Sequence, residues 1–214
     1  MSDGDHTDTG GHELQADGGR AARAPKQARA VRTRATVLEA AAELFARKGF
    51  QSVTIQEIAE LAGATKGAVY FHFPNKEAMA VELVETFYLA ATRNASAVID
   101  PQLPPLQAVR ELTRGTARRL RDDAVARAAV RLQAEQAVID TELPLPFIDY
   151  VAYVTLLLTR AADAGQLPPG SEPTTMARVL VAAFFGVQHV SWVLHDRMDV
   201  VERVDELLDL LLPA

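Results

Sequence analysis

The sequence contains no cysteine, only four lysines and one tryptophan, and aromatic residues make up only 6% of it. Without cysteine the chain has no disulfide framework, no thiolate zinc site and no cysteine nucleophile, and nothing points to an oxidising compartment. The longest apolar stretch, 179–187, is far shorter than the roughly 20 residues that span a bilayer. No apolar core of a secretory signal follows the N-terminus. We therefore expect a cytoplasmic protein with no membrane segment.

The charge is distributed unevenly along the chain. The total is −6, but residues 26–76 contain eight basic and four acidic residues and carry +4, whereas 1–25 carry −3 and 77–214 carry −7. All the lysines fall within this basic segment: Lys26, Lys48, Lys66 and Lys76. An anionic partner such as nucleic acid is therefore expected to bind there and not to the acidic remainder.

With 214 residues, 49% of them hydrophobic, the chain can bury a substantial core. Residues 1–25 are rich in Gly, Asp and Ala and show no sustained apolar period, which predicts a disordered leader. The rest has helical periodicity, no convincing strand alternation, and proline or glycine at each break. We predict an all-α chain of about nine helices, with a helix-turn-helix domain at 26–75 and a larger bundle at 76–214. The bundle helices are predicted at roughly 76–98, 105–121, 124–139, 145–165, 173–195 and 199–212.

The segment 54–73 has the chemistry of a helix-turn-helix. Thr54 and Glu57 form a capping box for one short helix, Gly63 ends it, and Thr65 caps the next, which Val69 and Phe73 anchor to the core. In the first turn of the second helix the free backbone N–H groups favour a phosphate and small side chains permit close approach. Predicted DNA contacts are Thr65, Lys66, Gly67, Ala68 and Tyr70, with Lys76 and the arm of Arg29, Arg32 and Arg34 at flanking phosphates. The alternative is a structural three-helix module whose basic residues are merely solvated.

The run from Thr33 to about Glu82 resembles the N-terminal domain of TetR-family transcriptional regulators. The resemblance rests on Leu44-Phe45, Lys48-Gly49-Phe50, Thr54, Ile58-Ala59, Gly63 and above all the stretch from Thr65 to Glu77. It implies a homodimeric repressor whose effector domain binds a small molecule. It also implies that Tyr70, His72 and Lys76 contact phosphates, that 65–68 lie near the bases, and that Thr54 belongs to the DNA-binding set.

A weaker resemblance to the actinomycete γ-butyrolactone-type autoregulator receptors, which control antibiotic production, covers the remainder. It rests on the Lys66–Phe73 sequence, on Arg127–Leu132 and on Ala183–Ser191. That branch usually has a tryptophan where Tyr150 aligns. The departure favours a related signal, such as a butenolide or an alkyl furan carboxylic acid, to which tyrosine hydroxyls could donate hydrogen bonds. A TetR-like repressor of an efflux or catabolic operon, sensing an unrelated hydrophobic ligand, is the alternative.

Amphipathic aromatics and amides on otherwise apolar helices are the candidate pocket residues, with ordinary core packing as the rival interpretation. They are Tyr88, Gln133, Gln136, Phe147, Tyr150, Tyr153 and Trp192. The helices at 173–195 and 199–212 are apolar on more than one face, and Ala182, Ala183 and Gly186 permit close helix approach, which predicts a four-helix dimer interface.

An enzyme is not expected. His189, Ser191, His195 and Asp196 cluster in sequence near Trp192, but the two histidines are six residues apart and so are not spaced as a metal pair on one helical face. The sequence has no glycine-rich phosphate loop and no nucleophile motif. We expect no catalytic residues, no metal and no cofactor. A third hypothesis keeps the DNA-binding domain but makes the bundle a protein-interaction module without a ligand.

Overall fold

The computed structural model describes residues 18–98, 102–145 and 147–213, with side chains for 27–88, 102–145 and 148–213. Within these ranges the chain forms nine α-helices and one 3-10 turn and has no strand, which confirms the predicted all-α class. The helices are α1 (Gly18–Lys48), α2 (Ile55–Leu61), α3 (Lys66–His72), α4 (Lys76–Val98), α5 (Pro105–Asp122), α6 (Ala124–Ala134), α7 (Phe147–Asp163), α8 (Pro173–His195) and α9 (Val200–Leu211). The 3-10 turn is Gln136–Val138.

The first three helices form a small domain around a common core. Val37 and Phe45 of α1 are fully buried, as are Ile58 of α2 and Val69 of α3. Gly63 takes the left-handed conformation that the turn between α2 and α3 requires, with φ of +60°. This packing fixes the short α3 on the surface, with its first turn facing outward.

The remaining helices form a bundle that packs directly onto α1. Helix α4 leads from the small domain into the bundle, and α6 packs against both α1 and α4. Helix α8 packs against both α7 and α9, and α5 also contacts α7 and α9. The buried apolar side chains of both parts form one continuous core. A movement of α6 therefore acts on α1 and α4 together.

Helix α8 is the single described helix long and apolar enough to cross a membrane, a property that core helices of soluble proteins share. One face, which includes Leu180, Val181 and Phe184, is buried in the bundle. Val179, Val190 and Val193 on α8 remain about half exposed or more. The apolar surplus of this helix thus lies on an uncovered face.

Two sequence expectations need correction. Residues 18–25 were expected to be disordered but belong to α1, because alanine and arginine are good helix formers and extending an existing helix avoids the cost of nucleation; the rest of the predicted leader, 1–17, lies outside the described residues. The helix predicted at 124–139 ends at Ala134, because the backbone of Glu135 leaves helical geometry (φ −93°, ψ 10°) before the 3-10 turn. The other helix bounds agree within about two residues.

Candidate DNA-binding surface and effector cluster

Helix α3 begins with an ordered cap and an exposed first turn. The Thr65 hydroxyl accepts a hydrogen bond from the backbone N–H of Ala68 at 3.1 Å. Lys66 and Gly67 are exposed, and a Cβ placed on Gly67 would meet only the Thr65 hydroxyl, at 3.8 Å. The face opposite Val69 thus presents a cation, free N–H groups and open space, which suit a phosphate backbone.

Helix α2 carries the predicted capping box. Thr54 accepts a hydrogen bond from the backbone N–H of Glu57, and the Glu57 carboxylate accepts one from the N–H of Thr54 at 2.8 Å. The Lys48 ammonium also donates to this carboxylate, at 2.7 Å. The Lys48 and Thr54 hydrogen bonds lower the pKa of Glu57 to about 2. Thr54 is exposed but already holds the start of α2.

A groove of about 900 Å³ joins the predicted arm to the reading helix. Arg29 and Arg32 of α1 line one side, and Thr65, Ala68 and His72 line the other. Both arginines are exposed and so remain available to an external anion. The structure therefore brings together five of the residues that sequence reasoning assigned to DNA, although the arm is a helix and not a flexible tail.

Arg34 and Lys76 are bonded within the protein, and their phosphate contacts stay predictions. The Arg34 guanidinium bonds to both carboxylate oxygens of Glu82 and lies 4.6 Å from the centre of the Phe73 ring. The Lys76 ammonium donates to the carbonyls of Phe50 at 2.9 Å and Val53 at 3.3 Å. Both cations thus hold α4 to the small domain. Sequence spacing could not show this, because the partners are distant in the chain.

Two aromatic side chains on α3 extend into solvent. Tyr70 is 53% exposed and Phe71 is 80% exposed. The Phe71 ring packs edge-on against His72, with ring centres 5.0 Å apart. Tyr70 and His72 are predicted DNA contacts and Phe71 is not. An apolar ring between two predicted contact residues nevertheless indicates an unusual surface. So much exposed aromatic area on a seven-residue helix is typical of a contact surface.

Inside the bundle, the predicted pocket residues Tyr88 and Tyr150 are buried and Gln133 is partly buried. The Tyr88 hydroxyl of α4 donates to the Gln133 side-chain carbonyl of α6 at 2.6 Å. The Gln133 amide donates in turn to the Pro144 carbonyl at 3.0 Å. Tyr150 of α7 is only 6% exposed and its hydroxyl lies 3.4 Å from that of Thr116 on α5. Since the Thr116 hydroxyl already donates to the Leu112 carbonyl, Tyr150 is the donor of this pair.

Burial raises the pKa of both tyrosines above the usual value, and the proximity of Tyr150 adds to the effect on Tyr88. Both hydroxyls are therefore protonated at neutral pH and serve as hydrogen-bond donors. Tyr88, Gln133 and Tyr150, together with Thr116, are called the effector cluster below. A neutral, donor-rich cluster within an apolar bundle is suited to the carbonyl oxygen of a small ligand.

Of the other predicted pocket residues, Gln136, Tyr153 and Trp192 are not part of the effector cluster. The Gln136 amide donates to the Thr141 carbonyl at 2.9 Å, and its carbonyl accepts from the Leu143 N–H at 3.0 Å, so this side chain braces a loop. Trp192 lines a separate cleft beside Arg131 and Arg197. Tyr153 is partly buried on α7. The Phe147 side chain lies outside the described residues.

Sequence reasoning missed the residues that join α6 to the small domain. Arg131 donates to the carbonyls of Ala46 at 3.1 Å and Arg47 at 2.9 Å, at the C-terminal end of α1. The Glu135 carboxylate accepts from the Phe50 N–H at 2.6 Å and pairs with Arg131 at 2.8 Å. We call this pair of residues the α6 latch. Arg131 lies on the same helix as Gln133 and Glu135 directly follows that helix, so α6 connects the effector cluster to the small domain.

Gly49 is required by the α6 latch. Its φ is +79°, and a Cβ there would lie 2.4 Å from a Glu135 carboxylate oxygen and 2.9 Å from Arg131 Nη2. Gly49, which directly follows α1, thus also makes room for α6. Only the tertiary structure shows the second requirement, because Glu135 is far away in sequence.

The comparisons with known proteins agree with this arrangement. The family model for bacterial regulatory proteins of the tetR family matches residues 37–83, and that for the tetracyclin repressor-like C-terminal domain matches 104–214. The A-factor receptor protein of Streptomyces griseus is 32% identical over 189 residues, which cover 88% of this chain and 66% of the receptor, just under two thirds of its length. The relatives that this chain matches are transcriptional regulators.

Solved structures show the same fold over most of the chain. One, described as the molecular basis for control of antibiotic production by bacterial hormones, is 46% identical with a TM-score of 0.79, covering 85% of this chain and 96% of its own. A γ-butyrolactone receptor (ArpA-like protein) is 31% identical with a TM-score of 0.68, covering 84% and 97%. SmeT, the repressor of a Stenotrophomonas maltophilia multidrug efflux pump, is 29% identical with a TM-score of 0.67, covering 83% and 87%.

Proposed function

The chain belongs to the tetR family of bacterial regulatory proteins, and we propose that it represses transcription as a homodimer. A small autoregulator signal releases this dimer from its operator. The DNA-contacting set we propose combines the predicted residues of α3 and its cap with the two exposed arginines of α1 and with Phe71. It consists of Arg29, Arg32, Thr65, Lys66, Gly67, Ala68, Tyr70, Phe71 and His72. In a helix-turn-helix the second helix enters the major groove with its N-terminal residues toward the bases, while the flanking cations neutralise phosphates.

The uncovered apolar face of α8 and α9 supports the homodimer. Val190, Val193 and Leu194 are exposed on α8, as is Leu210 on α9. Burying this face against a second copy removes apolar area from water, and the small Gly186 leaves room for close helix approach. Two subunits then present two copies of α3, spaced one DNA turn of about 34 Å or a multiple of it apart, to a pseudo-palindromic site. We expect Leu194→Asp to sediment as a monomer; a dimer would remove this interface from the proposal.

The hydrogen bond between Tyr88 and Gln133 is the observation that carries the ligand response. It joins α4 to α6, and α6 holds α1 through the α6 latch. A ligand that accepts a hydrogen bond from the Tyr88 hydroxyl replaces the bond to Gln133 and displaces α6. Because α6 packs against α1 and α4, both helices move with it. The two α3 helices then lose the spacing that the operator requires. The ligand must prefer the released state, since equal affinity for both states shifts nothing.

The class of signal is the finer part of the proposal. Relatives described as an A-factor receptor, a γ-butyrolactone receptor and a regulator in hormone control of antibiotic production favour a γ-butyrolactone, a butenolide or an alkyl furan carboxylic acid. The donor-rich effector cluster is compatible with the carbonyl groups that all three carry. The protein then controls antibiotic biosynthesis and acts in the cytoplasm. The similarity to SmeT supports the second candidate, an efflux repressor that binds an unrelated hydrophobic ligand.

A gel shift on the DNA upstream of the protein's own gene tests both candidates. Representatives of the three autoregulator classes are added in turn, with triclosan as the efflux-type probe because it forms a complex with SmeT. We expect one autoregulator class to release the DNA and triclosan to have no effect. Release by triclosan alone would favour the efflux repressor. If none of them releases the DNA, the proposed ligand classes are wrong although DNA binding stands.

A pair of tyrosine variants then locates the signal. We expect the Tyr88→Phe variant to need at least about tenfold more ligand for release of the DNA. The reason is that it lacks the hydrogen bond from the Tyr88 hydroxyl to the ligand, which is worth roughly 1.4 kcal/mol or more. Tyr153→Phe is the matched control, since Tyr153 lies on the same bundle but outside the effector cluster, and it should respond as the wild type does. An unchanged response of Tyr88→Phe would remove Tyr88 from the role.

A further inference from the structure

A second cleft, separate from the effector cluster, opens where α1 meets the bundle. It has a volume of about 710 Å³ and is bordered by α1, the α5–α6 junction, α6 and the C-terminal end of α8. Its lining contains Trp192 and three acidic residues, Glu43, Asp122 and Asp196, among five arginines: Arg47, Arg121, Arg127, Arg131 and Arg197. The cleft is therefore cationic in a bundle that is acidic overall.

Arg197 is the unusual member of this lining. Its side chain is only 1% exposed, and within the part of the chain that the structure describes its Nε and Nη2 atoms are buried without a hydrogen-bond partner. Its backbone is left-handed, with φ of +64°. The guanidinium lies 4.6 Å from the centre of the Trp192 ring, and that of Arg131 lies 5.3 Å from it. A cation–π contact compensates only part of the loss of water, so a buried guanidinium normally has an anion beside it.

The neighbouring charges do not supply that anion. Asp122 accepts two hydrogen bonds from Arg121, at 2.8 and 2.9 Å, and so is already paired. Among the described residues no carboxylate comes within 4.0 Å of an Arg197 nitrogen. Arg127 donates to the Arg121 carbonyl at 2.6 Å, so this second cation is held in place by the backbone.

The electrostatics of Arg197 agree with its geometry. Removal from water, reinforced by the positive charges of Arg127 and Arg131, lowers the pKa of Arg197 to about 10, although Asp196 opposes the shift. The group is therefore still charged at neutral pH. An unpaired buried cation next to further cations is an unfavourable arrangement that a bound anion would relieve.

We propose that this cleft binds a small anion through a carboxylate or phosphate group, with Arg197 as the anchoring residue. Guanidinium groups match the planar or tetrahedral oxygens of such groups and bind them in bidentate fashion. The cleft is large enough for an organic acid as well as for inorganic phosphate. Because α1 belongs to the DNA-reading domain and α6 and α8 to the bundle, the anion would hold the two parts together at a point remote from α3.

The chain reports on this site through its single tryptophan, Trp192. The full-length protein is titrated with sodium phosphate and with sodium citrate, against sodium chloride at equal ionic strength, while Trp192 emission and the Tm are followed. We expect a saturable change in emission for at least one of the two anions, and a Tm higher by about 3–6 °C at ten times its Kd. No saturable change beyond that with chloride would overturn the proposal.

Three variants separate binding from a general salt effect. Arg197→Met should abolish the response without lowering the Tm in the absence of anion, because it removes an unpaired buried charge. Arg47→Gln, on the exposed side of the cleft, should weaken anion affinity about three- to tenfold. Arg178→Met changes an exposed arginine on α8, the helix that precedes Arg197, at a position outside the cleft. It should respond as the wild type does. If Arg197→Met responds like the wild type, Arg197 does not bind the anion and the proposal is wrong.

Neither readout uses DNA or an autoregulator. A negative result here therefore leaves the repressor proposal intact, and loss of operator binding leaves this site untouched. The anion site and the effector cluster also differ in chemistry, since one is cationic and the other is neutral.

Discussion

Lys66 and Tyr70 on α3 extend into solvent, whereas Arg131 and Gln133 on α6 and Glu135 directly after it all form bonds within the molecule. Both helices are short and both carry polar side chains at close intervals. The difference lies in what surrounds them. Helix α3 buries only Val69 of its own residues, while α6 packs against α1, α4 and α5 and buries five of its eleven residues. The surface of α3 is therefore free for an external partner, and α6 is tied to the structure itself.

The contrast between α3 and α6 predicts which substitutions affect DNA binding and which affect the stability of the fold. A change on the exposed face of α3 should affect DNA binding and leave the fold intact, because little packs there. A change at the α6 latch should lower the stability of the protein, because two domains meet there. The experiments below test that division, beginning with the largest expected effect.

Gly67→Asp should abolish DNA binding in a protein that still folds. The new Cβ meets only the Thr65 hydroxyl at 3.8 Å, but the carboxylate stands where α3 meets the phosphates. We expect an affinity loss of about 100-fold or more, roughly 3 kcal/mol, with little change in Tm. Gly115→Asp is the control, since nothing lies within 4 Å of a Cβ at that site in α5. A large fall in Tm for Gly67→Asp would contradict the proposed division.

Gly49→Ala should show the opposite behaviour. Its Cβ would lie 2.4 Å from a Glu135 oxygen at a φ of +79°. We expect a loss of about 2–4 kcal/mol in the free energy of unfolding, measured by urea denaturation. Gly165→Ala has a similar φ of +69° with nothing within 4 Å, so it should lose only about 1 kcal/mol. Equal losses in the two variants would show that the contact with α6 has no energetic role.

Arg32→Ala and Lys76→Ala compare an exposed cation with one bonded inside the protein. Removing the exposed Arg32 should lower the slope of log affinity against log salt by about one unit per subunit and leave the stability unchanged. Removing Lys76 should leave that slope unchanged and cost about 1–2 kcal/mol in the free energy of unfolding, because two backbone carbonyls lose their donor. A reduced slope for Lys76→Ala would restore its predicted phosphate contact.

The smallest effect concerns Glu57, whose pKa is lowered to about 2 by Lys48 and Thr54. A carboxyl with a lowered folded-state pKa stabilises the protein above its unfolded pKa of about 4.5, and this contribution is lost as the pH falls toward 2. Glu57→Gln should therefore lower the Tm slightly at pH 7 and show no difference from the wild type near pH 2. A difference that persists at pH 2 would indicate packing as its cause.

The elements near α3 were predictable because their signals are local. The capping box at Thr54, the turn at Gly63 and the Thr65 cap each depend on residues within four positions, and all are present as predicted. The bundle helices were predictable for the same reason, since proline and glycine mark their ends. Local chemistry does not show which neighbour a long side chain reaches. Arg34 and Lys76 were therefore assigned to phosphates although they bond to Glu82 and to backbone carbonyls.

By itself the sequence determined the all-α class and the positions of α2 and α3. It also predicted Tyr88, Gln133 and Tyr150 as pocket residues, a role that stays a prediction. Each follows from helical periodicity, caps or a family motif, all of which are legible along the chain. Only the tertiary structure decided which cations are bonded within the protein, which residues form the α6 latch, and that two nitrogens of Arg197 are buried without a hydrogen-bond partner among the described residues. These depend on contacts between residues far apart in sequence, whose desolvation and pairing exist only once the helices have packed.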